Sequence, residues 1–409
     1  MRLLRQPRLA LLFAGSALNE IGSWASLIAF WGYAAYRFHS SPDQIALVSV
    51  MWSSPGAVFS LMSGWPIDRF GPKAVMIAAD VVGVGAALGM VWAQSYGTLV
   101  VMVLLAGTVS AFGRPAASSL PPRLADDEDL LLANSLLGLT TQLALVIGPL
   151  VASVAISLWS IRAAFVVDAS TFVVGVITTL PLRLRPPVTP DPATATPTDL
   201  LAGLRLAWRI VTVRRTLLLG LALFCSWGAS MVMEPLYVRD VLHRSGATFG
   251  WLQTIFGVGL IVTTLLLPRL GDRVVSVRAQ AVSVLASAGA VVVYLASASL
   301  PAAAIGIFFW GMLTALFLPP FYTLLQRSTP PDSHGRVMAT AAMTNGVAGL
   351  ATTPLAAVLV TAFGVRSTAL AVATGLLVAG AAGWLTDQGA AKRASRAAAT
   401  AGYAASSAE

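Results

Sequence analysis

The sequence predicts an all-α membrane protein with twelve transmembrane helices in two pseudo-symmetric six-helix bundles. Three observations predict this fold: the composition, the length of the apolar segments, and a repeat at a constant offset. Of the 409 residues, 57% are hydrophobic and only 11% are charged, and the mean hydropathy is +0.79. Soluble domains carry about 25% charged residues. Lipid is therefore the solvent that fits this composition.

Twelve apolar segments each have close to the ~20 residues that cross ~30 Å of hydrocarbon as a helix. A transmembrane barrel would instead show segments of about ten residues with alternating polarity. The apolar segments cover residues 9–35, 44–66, 74–94, 97–118, 131–158, 161–182, 216–238, 248–268, 277–297, 301–325, 337–362 and 366–386.

The basic residues predict the orientation of the chain in the membrane. With a cytoplasmic N-terminus, 21 of the 26 Lys and Arg residues fall on the cytoplasmic side and 5 fall outside. Cytoplasmic loops carry the excess of basic residues in membrane proteins, so we predict that both termini are cytoplasmic. The net charge of +9 is spread over loops without interleaved aromatic residues, which argues against a nucleic-acid partner.

The chain repeats itself at an offset of 204 residues. Asp68-Arg69 follows the second segment and Asp272-Arg273 follows the eighth, while Arg123 and Arg327 have the same spacing. Two parallel six-helix halves of this kind are typical of secondary transporters. The predicted organisation is an N-terminal half (1–182), a cytoplasmic linker with an amphipathic helix (183–215), a C-terminal half (216–386) and a poorly ordered cytoplasmic tail (387–409).

One loop carries a family signature. The sequence Gly64-Trp-Pro-Ile-Asp68-Arg69-Phe-Gly71-Pro-Lys73 resembles the Gly-x-x-x-Asp-Arg-x-Gly-x-Arg/Lys-Arg/Lys motif of the major facilitator superfamily, although Ala replaces its last basic residue. In this family the motif implies gating. Gly64 would let the second helix approach a neighbour, Gly71 would permit a tight turn, and Asp68 would cap a helix of the other half. The alternative is that these charges only obey the topology rule.

Other motifs resemble the enterobactin-exporter and macrolide or multidrug efflux branch of that superfamily. They are Pro121-Pro-Arg123-Leu, Gln326-Arg-Ser-Thr-Pro and Gly335-Arg336-Val-Met. Gly148-Pro149 resembles the start of the antiporter signature of the superfamily, and we expect a gating role for both residues. Many drug–proton antiporters carry an arginine within the fourth helix, and residues 97–110 contain none.

The resemblance implies the major facilitator fold and alternating access in a bacterial cytoplasmic (inner) membrane. We expect a monomer that exports a small amphipathic drug or metabolite in exchange for protons. A siderophore-type exporter, an importer, and a non-transporting sensor or assembly partner are the alternatives. The sequence has no Walker loop, catalytic set or histidine cluster, so we expect no enzyme activity, cofactor or metal site.

An acid inside an apolar helix is costly, which makes Glu20 the first candidate for binding substrate or a proton. Its position in the first segment places it ~17 Å from the cytoplasmic end, near the midplane. Asn19, Ser23 and Trp24 are expected to share its site; Ser23 stands where the branch often has Asp. The alternative is a buried acid bonded to a neighbouring helix.

Three further acids and one arginine within the segments are also candidates. Glu234, just before Pro235, is expected near the outer end of the cavity, in binding or in an outer gate. Asp80 and Arg114 lie at similar depths on neighbouring segments, so we predict an ion pair with a structural or gating role. Asp168 is expected to hydrogen bond to another helix.

Overall fold

The computed structural model of the chain describes residues 7–59, 62, 64–185, 200–330 and 333–406. These residues form thirteen α-helices and no β-strand. The helices are α1 (Pro7–Gly32), α2 (Pro42–Phe59), α3 (Gly64–Phe70), α4 (Pro72–Val91), α5 (Tyr96–Ser118), α6 (Asp127–Leu158), α7 (Ile161–Thr179), α8 (Leu200–Arg209), α9 (Val211–Leu236), α10 (Gly246–Leu270), α11 (Val277–Val291), α12 (Leu300–Arg327) and α13 (His334–Ser406).

The described helices fit the predicted crossings. Nine are long and apolar enough to span a membrane, and α2 with α3 forms a tenth span that is bent by 62°. Helix α1 has 26 residues, enough for a further crossing. Gly364, with φ 79° and ψ 166°, divides α13 into the last two spans. The predicted all-α membrane fold is confirmed, and this arrangement is consistent with twelve crossings.

The repeat at an offset of 204 residues extends to single hydrogen bonds. A π-helical turn continues α1 and another continues α9. The Tyr33 hydroxyl in the first turn donates to the Ala93 carbonyl over 3.1 Å, and the Tyr237 hydroxyl in the second donates to the Ser297 carbonyl over 3.0 Å. Tyr33 and Tyr237 are 204 residues apart in the sequence, and so are Ala93 and Ser297. The two halves therefore share local geometry as well as the order of their helices.

One close helix crossing repeats in the same way. Helix α5 crosses α2 at Gly107, where an added Cβ would overlap the carbonyl oxygen of Trp52. Helix α12 crosses α10 at Gly311, where an added Cβ would overlap the carbonyl oxygen of Phe256. Only glycine lets the backbones approach this closely.

Polar contacts join the two halves near the end that is predicted to face outside. Arg239 Nη1 donates to the carbonyl oxygens of Ala35 and Ser40, each over 2.9 Å. The hydroxyls of Ser153 and Thr254 lie 3.4 Å apart. Among pairs of described residues, all hydrogen bonds between the halves lie on this side of the molecule. We name the contact of Arg239 with Ala35 and Ser40 the outer latch.

The signature segment differs from expectation. Its first part is not a loop, because Gly64–Phe70 forms the short helix α3. The expectation for Gly64 is wrong in this conformation, since no other helix among the described residues has an atom within 4 Å of where its Cβ would be. Gly71 adopts φ 82°, a conformation that suits glycine, and turns the chain from α3 into α4.

The linker contains a helix where the sequence predicts one, and the tail has more helix than expected. Helix α8 lies within the predicted linker, while residues 186–199 are outside the described part of the chain. Contact of α8 with lipid headgroups stays a prediction. The tail, expected to be poorly ordered, continues α13 as far as Ser406. Its abundant alanine explains this, because alanine has the highest helix propensity.

We predict that Gly107→Ala destabilises the protein by about 1–3 kcal/mol, because the added methyl group forces α5 away from α2. The measurement is the thermal midpoint of the detergent-solubilised protein. Gly85→Ala is the matched control, since Gly85 has open space around its Cα. The repeat predicts the same loss for Gly311→Ala. Equal midpoints for Gly107→Ala and Gly85→Ala would contradict the close crossing.

Candidate functional site

A polar cavity lies inside the N-terminal half, between α1, α2, α4, α5 and α7. Its lining combines hydroxyl, amide and charged groups with two aromatic rings. The polar and aromatic lining residues are Ser16, Asn19, Glu20, Ser23, Ser26, Trp52, Asp80, Ser110, Arg114, Asp168 and Phe172. The cavity contains three carboxyl groups and one guanidinium group.

Glu20 and Arg114 form an ion pair across the cavity. Arg114 Nη2 lies 3.0 Å from Glu20 Oε2, and the two side chains are 52% and 17% exposed. Arg114 follows residues 97–110, where the sequence lacks the arginine of many antiporters. It stands near the end of α5, immediately before Pro115, and its long side chain reaches back into the cavity. A basic group is therefore present at this site, supplied from a position one turn further along the helix.

The predicted pair between Asp80 and Arg114 is wrong in this conformation. Asp80 instead accepts a hydrogen bond from Asn19 Nδ2 over 2.7 Å. The short Asn19 side chain can reach Asp80 because α1 and α4 both line the cavity, which leaves the longer Arg114 side chain to pair with Glu20. Asn19 and Glu20, which are adjacent in α1, thus bind Asp80 and Arg114 respectively.

Asp168 lies in the same cavity, where the sequence predicted a hydrogen bond between helices. It is buried in α7 beside the Ser26 side chain of α1, so the predicted contact is with α1, although its Oδ1 makes no hydrogen bond of full geometry among the described residues. The sequence contained a usable signal, because Asp80 and Asp168 are both acids in the interior of apolar segments. What it could not show is that the two helices face one cavity with α1.

Of the other predicted binding residues, Ser23 lies in the cavity, whereas Trp24 and Glu234 lie outside it. Trp24 does not line it; its Cβ packs against Gly148 of α6, which is where α1 and α6 cross closely. Pro149 follows, and its carbonyl accepts a hydrogen bond from Ser153 Oγ over 2.6 Å. Glu234 is buried in α9, accepts a hydrogen bond from Gln253 Nε2, and lies outside this cavity.

Among the described residues, the hydrogen bonds and ring contacts of the signature segment lie within the N-terminal half. Lys73 Nζ donates to the carbonyl oxygens of Leu180 and Leu182, over 2.6 and 2.9 Å. The Arg69 guanidinium lies 5.6 Å from the ring centroids of two aromatic residues of α3. Asp68 is exposed. Its proposed contact with the other half is absent from the described part of this structure.

The chain matches the family model of the Major Facilitator Superfamily over residues 12–245 and 216–407. It is 25% identical over 356 residues to YfiS, an MFS-type transporter of Bacillus subtilis, covering 81% of this chain and 82% of that protein. It is 25% identical over 399 residues to the multidrug efflux pump Tap of Mycobacterium tuberculosis, covering 92% of each chain.

A solved structure shares the fold. It is the bacterial homologue of the human lysosomal transporter Spinster, in an inward-facing and unoccupied conformation. The TM-score is 0.76 with 15% sequence identity, and the match covers 95% of this chain and 98% of that one.

We predict that Glu20 and Arg114 are coupled by about 1 kcal/mol, because the pair is only partly shielded from solvent. The measurement is a double-mutant cycle of thermal stability in detergent with Glu20→Gln, Arg114→Gln and the double variant. Arg114→Gln alone leaves an uncompensated carboxylate, so it should cost more stability than the double variant. The exposed pair of Arg185 and Asp126 is the control. A coupling no larger than that of the control would contradict the prediction.

Proposed function

This chain belongs to the Major Facilitator Superfamily and is a membrane transporter, and from that premise we propose that it exports a small amphipathic drug or metabolite in exchange for protons. The proposal includes alternating access of one site to the two sides of a bacterial inner membrane. Its direction is supported by similarity to the multidrug efflux pump Tap, which extends over 92% of each chain. The observation that carries it is the ion pair of Glu20 and Arg114 inside the N-terminal cavity.

The ion pair supports coupling to protons for an electrostatic reason. A carboxylate inside the membrane costs about 2.5–3.5 kcal/mol on insertion scales, and Arg114 offsets this cost for Glu20. When Glu20 takes up a proton, the attraction for Arg114 is lost and the guanidinium is free to move. The membrane potential supplies ~2.3 kcal/mol per charge per 100 mV to drive such a step.

The outer latch supports alternating access. Arg239 joins the halves at the outer end, while Asp68 of the signature segment is exposed and without a partner among the described residues. We assign this conformation to the state that is closed outside. In the opposite state the latch would open and Asp68, with Arg69 and Lys73, would engage the other half. Glu234 would line the exit pathway near the outer end.

We predict that everted membrane vesicles containing this protein accumulate some members of a panel of fluorescent amphipathic compounds, and that a protonophore abolishes the uptake. Glu20→Gln should lower uptake about tenfold or more, in keeping with a coupling free energy of 1–3 kcal/mol. Glu128→Gln is the matched control, because Glu128 is an exposed acid at the start of α6. Unchanged uptake in Glu20→Gln would exclude Glu20 as the coupling residue. No uptake of any compound by the wild type would remove the support for export.

We predict that Arg239→Gln shifts the protein toward the outward-open state by about fivefold or more, because two hydrogen bonds of about 1 kcal/mol each are weakened. The measurement is the labelling rate of Ser23→Cys by a membrane-impermeant maleimide added outside, in a Cys225→Ser background that lacks the native cysteine. Arg244→Gln, an exposed arginine in the same region, is the control. Equal rates for Arg239→Gln and Arg244→Gln would show that the latch does not hold this state.

A further inference from the structure

The cavity contains more negative charge than Arg114 can balance. Three carboxyl groups and one guanidinium line it, and the guanidinium is bound to Glu20. Asp80 and Asp168 therefore have no basic partner in the lining. Acids that face the interior of a membrane protein are paired or functional, because an isolated charge at this depth is costly.

Buried polar atoms in this cavity also lack hydrogen-bond partners. Asp80 and Asp168 are each 3% exposed, and Ser16 is 7% exposed. Asp80 Oδ2, Asp168 Oδ1 and Ser16 Oγ have no hydrogen-bond partner in the part of the chain that the structure describes. A buried polar atom without a partner costs about 1–3 kcal/mol. The Ser16 hydroxyl can donate as well as accept, whereas an ionised carboxylate can only accept. Asp80 Oδ2 and Asp168 Oδ1 therefore favour a ligand that donates hydrogen bonds or carries positive charge.

Two aromatic rings complete the lining. Trp52 of α2 and Phe172 of α7 border the same cavity as the two aspartates. The face of an aromatic ring attracts a cation, most strongly when the ring belongs to tryptophan. Carboxylates and aromatic rings together are the groups that recognise organic ammonium ions. A bound metal ion fits less well, since no cluster of three or more His, Cys, Asp or Glu suited to a metal occurs among the described residues.

We propose that this cavity is a binding site for organic cations, in which Asp80 and Asp168 hold the positive group and Trp52 and Phe172 contact its apolar part. The site lies inside the N-terminal half, beside the pair of Glu20 and Arg114. Asp80 and Asp168 are thus assigned to binding of the cation, and Glu20 is assigned to coupling with protons. The identification of the cation with the transported compound rests on the proposed function, whereas its binding does not.

The test uses the purified full-length protein and two probes of equal shape and opposite charge, tetraphenylphosphonium and tetraphenylborate. Equilibrium binding in detergent should show saturable binding of the cation and none of the anion. Asp80→Asn and Asp168→Asn should each weaken cation binding about tenfold or more, because each removes a negative charge that attracts the cation in a site of low dielectric constant. Asp43→Asn is the matched control, because Asp43 is an exposed aspartate at the start of α2.

Two further variants keep the test decisive if an asparagine variant does not fold. Asp168→Glu retains the charge and should retain selectivity for the cation. Trp52→Leu should weaken cation binding about threefold, in keeping with the strength of one cation–π contact. Binding of the anion as strong as that of the cation, or wild-type affinity in both asparagine variants, would overturn the proposal.

The outcome also separates this proposal from the proposed function. Selective binding of tetraphenylphosphonium without proton-driven uptake in vesicles would support the cation site and reject the transport cycle. Proton-driven uptake of other compounds, with no charge selectivity in the binding assay, would support transport and reject the cation site.

Discussion

The constraint on which this structure depends is the cost of placing carboxyl groups inside a membrane. The N-terminal half meets that cost in a different way for each of the three acids in its cavity. Glu20 has a guanidinium, Asp80 has the amide of Asn19, and Asp168 has an oxygen without a partner among the described residues. The arrangement is compact because α1, α4, α5 and α7 face one cavity. A change in the charge of any one acid alters the field experienced by the others.

The repeat supplies a common scaffold, and the functional groups depart from it. The outer turns and the helix crossings at Gly107 and Gly311 follow the offset of 204 residues down to single contacts. The acids do not, because Glu20 corresponds to Phe224 in the second half and Phe224 is fully buried. Likewise Asp272 pairs with Arg327 over 2.7 Å, whereas the corresponding Asp68 and Arg123 form no ion pair in the described part of the chain. Shared backbone geometry thus carries two chemically different halves.

The sequence predicted the fold well because lipid imposes a simple pattern of length and polarity on each helix. It also placed Glu20 in a polar site, since an acid at mid-depth of an apolar helix needs polar groups around it. It failed where the answer depends on side-chain direction. Arg114 was expected to pair with Asp80 because the two residues lie at similar depths in the membrane. Depth can be counted along the sequence, but the direction in which each side chain points cannot. Trp24 is adjacent to Ser23 in sequence, yet its Cβ packs against Gly148 of α6 and only Ser23 lines the cavity.

The turn at Gly364 limits how the last two spans can be accessed experimentally. Helical structure continues on both sides of this single residue, so the turn contains no stretch of non-helical chain. A protease finds little extended chain to bind there, and an inserted tag would interrupt a helical hairpin. The turns at His39 and His243 contain four non-helical residues each, 38–41 and 242–245. Mapping of the surface that is predicted to face outside should therefore begin at those two turns.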